Sequence, residues 1–351
     1  MSSSSIKDVA RVAGVSVATV SRALSGVAAV SPKLMARIEA AIHETGYRPN
    51  LSARRLRSRH SGTIGLILAD LRNPFFTAVS RAVEDVAYRH GLRVILCNTD
   101  ENPDKEAIYL KLMEEERVTG VIFAPTRQTA QTLDQRDIGF PLVLIDRVSP
   151  HGQQDAVVLD NSAASAMLME HLHAQGYRRI AGVFGNASSS GIERHDGFVA
   201  AAQRLGLQIQ TAFVPPQIEA AQTEVRHLLD CSERPQAVIA SNGLLLMGVV
   251  RAVRAAGLAI PDDVAVAGFD NESWTELVGP GLTVIEQPLE AIGRTAMSIL
   301  LERLDNPALP PRKVLLGGRC VVRGSTAALV PHAQAHAQVK PAADSIPHQA
   351  F

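Results

Sequence analysis

The chain's densest charge lies at 54–59, where Arg54, Arg55, Arg57 and Arg59 surround one large apolar side chain, Leu56. Guanidinium groups at this density suit phosphate oxygens. Asn50 can cap a short helix from Leu51 to about Arg57, so Asn50, Ala53, Arg54, Arg55, Leu56 and Arg57 form a candidate DNA-contacting segment. An isolated helix below ~12 residues is marginal in water, and crowded like charges weaken it further. The segment is therefore expected to coil only when phosphates neutralise it. Leu56 among arginines then has the composition of a minor-groove wedge that parts two base pairs and kinks the duplex. The alternative is a solvated linker with an incidental leucine.

Three short helices must position that segment. Ser5 can cap a first helix, with Asp8 answering it and Ile6, Val9, Ala10 and Ala13 facing inward, until Gly14 stops it. Ser16 caps a second, Val17 to Leu24, whose inward Val20, Ala23 and Leu24 leave Val17, Ala18, Ser21 and Arg22 pointing outward. Ser31-Pro32 opens a third, striped by Leu34, Ile38, Ala41 and Ile42 and closed by Gly46. This is helix-turn-helix spacing, which serves DNA or a protein partner. A helix in the major groove offers its first residues to base edges, which makes Val17, Ala18 and Arg22 the candidate readers. Ser16, Thr19 and Ser21 would hold phosphates.

Beyond residue 60 short apolar runs alternate with helical stripes, and each run ends in a polar residue: Asp70, Asn98, Thr126-Arg127, Asp146, Asn186, Ser241-Asn242 and Asp270. Such alternation predicts parallel sheets covered on both faces, here two in turn with a join near Asp160. Ligands bind outside the carboxyl ends of such strands, so the polar ends should converge on one crevice suited to a polyhydroxylated molecule. From the residues alone, Arg194 reads as a helix-surface charge, Asp270 as a turn aspartate and Phe75-Phe76 as core.

Composition sets the outer bounds. The 351 residues exceed one ordinary domain. The zero net charge divides into +7 over residues 1 to 60 and −7 over the rest, so a basic head precedes an acidic body and is expected to meet a polyanion. No apolar run approaches the ~18 residues of a bilayer span and the start MSSSSIKDV lacks a secretory core, so no membrane partner and a cytoplasmic location are expected. Cys97, Cys231 and Cys320 are too dispersed for a disulfide frame or a zinc site, and are expected to be core residues. There is no GxxxxGK[ST] and no GxGxxG after a strand; GNASSSG at 185–191 lacks the phosphate-loop lysine. No catalysis, cofactor or metal is expected.

DVARVAGVSVATVSRAL, VSPKLMARIEAAIHETGYRPN and NLSARRLRS resemble the LacI/GalR family of bacterial transcription regulators, and the likeness continues through IGLILADLRNPFF, HLHAQGYRRIAGVFG, ERHDGF, IPDDVAVAGFDN and LTVIEQP, about residues 5 to 325. The resemblance implies an α/β architecture: an N-terminal helix-turn-helix headpiece (1–48) with a hinge helix (49–60), then a two-lobed periplasmic-binding-protein-like domain with parallel sheets (61–330). The lobes would be 61–160 with 291–318, and 161–290 with 319–330. It implies a homodimer on a near-palindromic double-stranded operator, a repressor of carbohydrate or sugar-acid catabolism genes with an effector-requiring regulator or activator as the alternative, with Val17, Ala18 and Arg22 at the recognition positions and Leu56 as the intercalating hinge leucine. Whether effector releases DNA or is required for binding stays open.

The resemblance also implies that Arg194 and Asp270 grip a small sugar-like effector, with Asn242, Asp146, Phe75 and Phe76 lining the cleft. Three departures stand out: Gly243 where the family often has aspartate, no aromatic at 214–218, and a single tryptophan, Trp274, that could supply the missing platform. Arg127 and Arg147 past strand ends suggest an acidic sugar such as gluconate or a keto-gluconate. The tail 331–351 has no leucine heptads, so a frayed tail and a dimer are expected.

Overall fold

The computed structural model describes residues 5–25, 30–47 and 61–328. The candidate hinge residues Asn50, Ala53, Arg54, Arg55, Leu56 and Arg57, and the tail, lie outside the described residues. The chain separates into two compact units, Met1–Ser61 and Gly62–Phe351.

The first unit holds α1 (Ile6–Ala13), α2 (Val17–Ser25) and α3 (Pro32–Thr45). The Ser5 amide N–H donates to Asp8 Oδ2 at 2.9 Å and the Ser5 hydroxyl donates to the same oxygen at 2.7 Å, so the helix start is closed as the spacing predicts. Gly14, at φ +64°, ends α1. Thr19 N–H donates to Ser16 Oγ at 3.1 Å, and Leu34 N–H to Ser31 Oγ at 3.4 Å. Val9, Ala10, Ala13, Val20, Ala23, Ile38 and Ala41 form the small core, with Leu24, Leu34 and Ile42 packed against it. Arg37 has a role that the sequence reading passed over: its Nη2 donates to the Ala13 carbonyl at 2.7 Å, satisfying the end of α1 at the turn into α2.

In the second unit, strands β1 (Thr63–Leu68), β2 (Arg93–Asn98), β3 (Gly120–Phe123), β4 (Leu142–Ile145), β5 (Asp155–Leu159) and β11 (Lys313–Leu316) form one sheet, in the order β11-β5-β4-β3-β1-β2, all parallel. The second sheet, β12-β10-β9-β8-β6-β7, contains β6 (Arg179–Gly185), β7 (Gln208–Val214), β8 (Ala237–Ala240), β9 (Ala265–Phe269), β10 (Thr283–Glu286) and β12 (Arg319–Val321). Its members are parallel except β12, which runs antiparallel to β10.

Helices α4 (Pro74–Arg89), α5 (Pro103–Glu115) and α6 (Arg127–Leu133) connect the first sheet. Helices α7 (Asn161–Ala174), α8 (Ser189–Leu205), α9 (Ile218–Asp230), α10 (Gly243–Ala255) and α11 (Ser273–Leu277) follow in the second, and α12 (Leu289–Asp305) returns to the first. Its Ile292, Ala296, Met297 and Leu300 pack with Ile64, Leu66 and Val79. The chain thus passes between sheets near Asp160, again after β10, and once more at Gly317-Gly318. We call the two sheets with their helices lobe 1 and lobe 2.

The strands read from apolar runs are present, with ends shifted by a residue or two. Five strands escaped that reading: β7, an edge strand whose mixed pattern, QIQTAFV, leaves much of it accessible, the short, half-exposed edge strands β11 and β12, and the short buried strands β5 and β10. Cys97 is buried and Cys320 half-buried, but Cys231 is exposed. It ends α9, where its thiol donates to the His227 carbonyl at 3.3 Å, rather than lying in the core. No described helix is long and apolar enough to cross a membrane.

Candidate functional site

Both sheets reverse strand order at one place, between β1 and β3 in lobe 1 and between β6 and β8 in lobe 2. Ligand crevices in open α/β folds form outside the carboxyl ends at such reversals. A cavity of about 540 Å³, counting its mouth, lies there, lined from lobe 1 by Asp70, Phe75, Phe76, Glu101, Asp146 and Arg147, and from lobe 2 by Ser190, Arg194, Ser241, Asn242, Asp270 and Gln287, among others.

Asp146 and Asp270 occupy equivalent places, each just past the fourth strand of its lobe, and both adopt left-handed backbone (φ +63° and +77°). Aspartate tolerates that region better than most residues, and such conformations gather at functional sites. Asp270 accepts from the Gly243 amide at 2.8 Å and from Gln287 Nε2 at 2.6 Å. Burial pushes its carboxyl pKa up, with Arg194 pulling the other way. Arg194, on α8 and 4% exposed, donates from Nε to Asn161 Oδ1 at 2.8 Å and from Nη1 to the Ser241 carbonyl, and its guanidinium carbon sits 4.3 Å from the centroid of the Phe269 ring. Its Nη2 is buried with no hydrogen-bond partner among the described residues. Burial lowers its pKa, opposed by Asp146 and Asp270.

The structure brings six of the eight candidate effector residues to this cavity: Phe75, Phe76, Asp146, Arg194, Asn242 and Asp270. Phe75 and Phe76 are at once core and lining, edge-to-face at 5.0 Å, because Asn73 caps α4 and turns its first residues toward the crevice. Asn242 also caps α10, accepting from the Leu245 amide at 2.8 Å. The other two candidates lie elsewhere. Arg127 opens α6 with an exposed side chain, and only its backbone N–H reaches across to the Ala187 carbonyl at 2.9 Å. Trp274 packs against the lobe 2 core, commits Nε1 to Glu272 Oε2 at 2.6 Å, and is not among the residues that line the cavity. At Gly243 a Cβ would meet the Glu272 carboxylate, the mobile end of a side chain that can swing aside, so this contact does not by itself require glycine.

Arg147 lines the cavity but is not a free cation. It is 4% exposed, held by both oxygens of Glu101, by Asp146 and by the Pro125 carbonyl. Burial disfavours its charge, yet Glu101 and Asp146 more than offset this and raise its pKa. Sequence reasoning missed Glu101, Gln287 and Asn161 because each is a common polar residue with no diagnostic spacing. It also missed Glu106, fully buried on α5, which accepts from the Thr126 amide at 2.6 Å and hydroxyl at 2.7 Å and so fixes the β3–α6 turn beside the cavity. Burial raises the Glu106 pKa, against the hydrogen bonds from Thr129 and Thr126. Across the cleft, the start of α8 also meets lobe 1 through Val148 N–H to Ser189 Oγ at 3.1 Å and Ser190 Oγ to Asp146 at 3.4 Å.

In the headpiece, Val17, Ala18 and Arg22 are exposed on α2. Arg22 Nε reaches back to the Ala18 carbonyl at 3.4 Å. Ser16 and Thr19 share a hydroxyl contact of 2.8 Å at the helix start. No cluster of three or more potential metal ligands occurs among the described residues.

A helix-turn-helix unit joined to a body with a lined cavity between two α/β lobes defines a ligand-responsive, DNA-binding transcription regulator. Residues 5–50 match the model for bacterial regulatory proteins of the lacI family, and residues 169–326 that for the periplasmic binding protein-like domain. The chain belongs to the LacI family. It is 37% identical over 329 residues to the HTH-type transcriptional regulator PtxS of Pseudomonas plecoglossicida, covering 92% of this chain and 95% of that one. It is 34% identical to the HTH-type transcriptional regulator KdgR of Bacillus subtilis (strain 168), covering 91% and 97%. Among solved structures, the lac repressor dimer bound to operator and the anti-inducer ONPF superposes with a TM-score of 0.83 at 25% identity, covering 93% of this chain and all of that one.

Proposed function

We propose that this chain acts in the cytoplasm as a homodimer on a near-palindromic operator, and that a small polyhydroxylated effector in the lobe 1–lobe 2 cavity sets its operator affinity. The observation that carries this reading is Arg194 Nη2, a buried donor without a hydrogen-bond partner among the described residues, in the same cavity as the paired strand-end carboxylates Asp146 and Asp270. Leaving such a donor unmet costs about 1–3 kcal/mol or more. A ligand oxygen at Nη2 would satisfy it, while ligand hydroxyls would add donors to Asp146 and Asp270, which already accept from Arg147 and from Gly243 and Gln287. The role is regulation rather than catalysis.

The acidic-sugar option rests on Arg194 alone, since Arg147 is held by Glu101 and Arg127 points elsewhere. Four carboxylates, those of Asp70, Glu101, Asp146 and Asp270, line the cavity against the guanidinium groups of Arg147 and Arg194. A sugar acid would therefore direct its carboxylate at Arg194 Nη2, whereas a neutral sugar would place a hydroxyl there.

The proposed division is headpiece 1–48, hinge 49–60 and a body in two lobes, 61–160 with 291–318 and 161–290 with 319–330. Val17, Ala18 and Arg22 would meet base edges, Ser16, Thr19 and Ser21 phosphates, and Leu56 from each protomer the central base step, with Asn50, Ala53, Arg54, Arg55 and Arg57 around it. Two headpieces are needed because one recognition helix reads too few base pairs. The test is thermal melting of the full chain against matched neutral sugars and sugar acids, followed by calorimetry on any ligand that raises Tm with log concentration. Binding unaltered by both Arg194→Lys and Asp270→Asn would remove the cavity from the account.

A further inference from the structure

The direction of Arg194 Nη2 is set by contacts that lead out of the cavity to the other lobe. Nε and Nη1 are both occupied, so the orientation of the fork depends on Asn161 and the Ser241 carbonyl. Asn161 is 2% exposed and opens α7, one residue past the crossover from lobe 1 to lobe 2. Its Nδ2 donates to Glu193 Oε2 at 2.7 Å, and Glu193 Oε1 lies 3.6 Å from Lys313 Nζ on β11, a lobe 1 strand.

We propose that Asn161, Glu193 and Lys313 are positioning residues that make the orientation of the Arg194 fork depend on how the two lobes sit. An asparagine amide can turn by 180°, and the reversed form would put its NH₂ against Arg194 Nε, donor against donor. Glu193 prevents this by accepting from Nδ2, which leaves Oδ1 facing Arg194. Lys313 holds Glu193 only while β11 lies beside α8, so a change of lobe arrangement frees Glu193, then the amide, then the fork. By reciprocity, a ligand that holds Nη2 favours the arrangement in which the chain of contacts is complete. The functional meaning rests on reading the cavity as an effector site, but the contacts themselves are measurable without any effector.

The experiment is hydrogen exchange at the Arg194 Nε–H in the full chain labelled with ¹⁵N-arginine, the resonance being identified by its loss in Arg194→Lys. A slow Nε–H is expected in the parent. Asn161→Ala, which removes a hydrogen bond to a charged group, should speed exchange by roughly tenfold or more. The Lys313–Glu193 pair is half exposed, so Lys313→Met should speed exchange by up to about fivefold at low salt, with Lys313→Arg restoring the parent rate.

Parent-like exchange in folded Lys313→Met, or in folded Asn161→Ala, overturns the proposal. Should Asn161→Ala not fold, the exposed Lys313 site decides the matter. A ligand screen indifferent to Arg194 would defeat the effector reading while leaving this exchange result standing, so the two failures are distinguishable.

Discussion

Replacing Gly197 by alanine sets two effects of opposite sign against each other. The residue lies inside α8, where alanine is intrinsically favoured over glycine by about 0.8–1.0 kcal/mol. A Cβ at this position, however, would lie 2.6 Å from Ser162 Cα and 2.7 Å from the Ser162 carbonyl oxygen, both backbone atoms of α7. Ordinary contacts between carbons are about 3.5–4.0 Å, so the helices must part by roughly 1 Å. Overpacking of this kind costs about 1–3 kcal/mol.

The steric term should therefore match or exceed the propensity gain, leaving the variant up to about 2 kcal/mol less stable. The same separation would stretch the 2.8 Å bond between Arg194 on α8 and Asn161 on α7, so effector binding should weaken together with stability. Urea unfolding followed by circular dichroism at unchanged m measures the first effect. A Gly197→Ala chain about 1 kcal/mol more stable than the parent would show that propensity rules and that the close helix approach is not what glycine is there for.

Three further outcomes are expected. Arg147→Met leaves Glu101 and Asp146 without their cation and should cost about 3–5 kcal/mol, much of it recovered in the double variant with Glu101→Gln when both are measured by denaturation. Burial depresses the pKa of His171, whose Nε2 lies 2.7 Å from Thr326 Oγ1, so its contribution to stability is present above the ordinary value of 6.5 and lost as pH falls below it; Tm of His171→Gln relative to parent should rise between pH 7.5 and 5.5, and a constant difference would contradict the assignment. Arg22→Ala should cost about 1–3 kcal/mol on a duplex selected by the parent and relax its sequence preference in a repeat selection, whereas an unaltered preference would move base reading off Arg22.

How much of this was legible in the sequence follows from where each signal is stored. The headpiece was readable almost to the residue, because Ser5, Ser16, Ser31, Gly14 and Gly46 act through local geometry and the apolar stripes recur at helical spacing. The convergence of Asp146, Asn242 and Asp270 was readable because parallel α/β units carry polar residues at the ends of apolar strands. Arg127 was misjudged for a reason of the same kind: sequence shows that a residue follows a strand, not which way its side chain turns once it opens a helix. Trp274 and Arg147 were misjudged because their partners, Glu272 and Glu101, are unremarkable in sequence and become decisive only when the fold brings them close. The Lys313 contact joins residues 120 positions apart across two lobes, and no local pattern encodes that.

Operator affinity of the full chain, read by fluorescence anisotropy on a duplex selected from random sequence, decides whether ligand and DNA binding are coupled. The measurement is made before and after saturation with each ligand that binds by calorimetry, in the parent and in Asp270→Asn. At least one such sugar or sugar acid should change operator Kd by roughly 5- to 150-fold in the parent, and the change should collapse in the variant. Ligand binding that leaves operator Kd unmoved in the parent, or moves it equally in both proteins, would contradict that coupling.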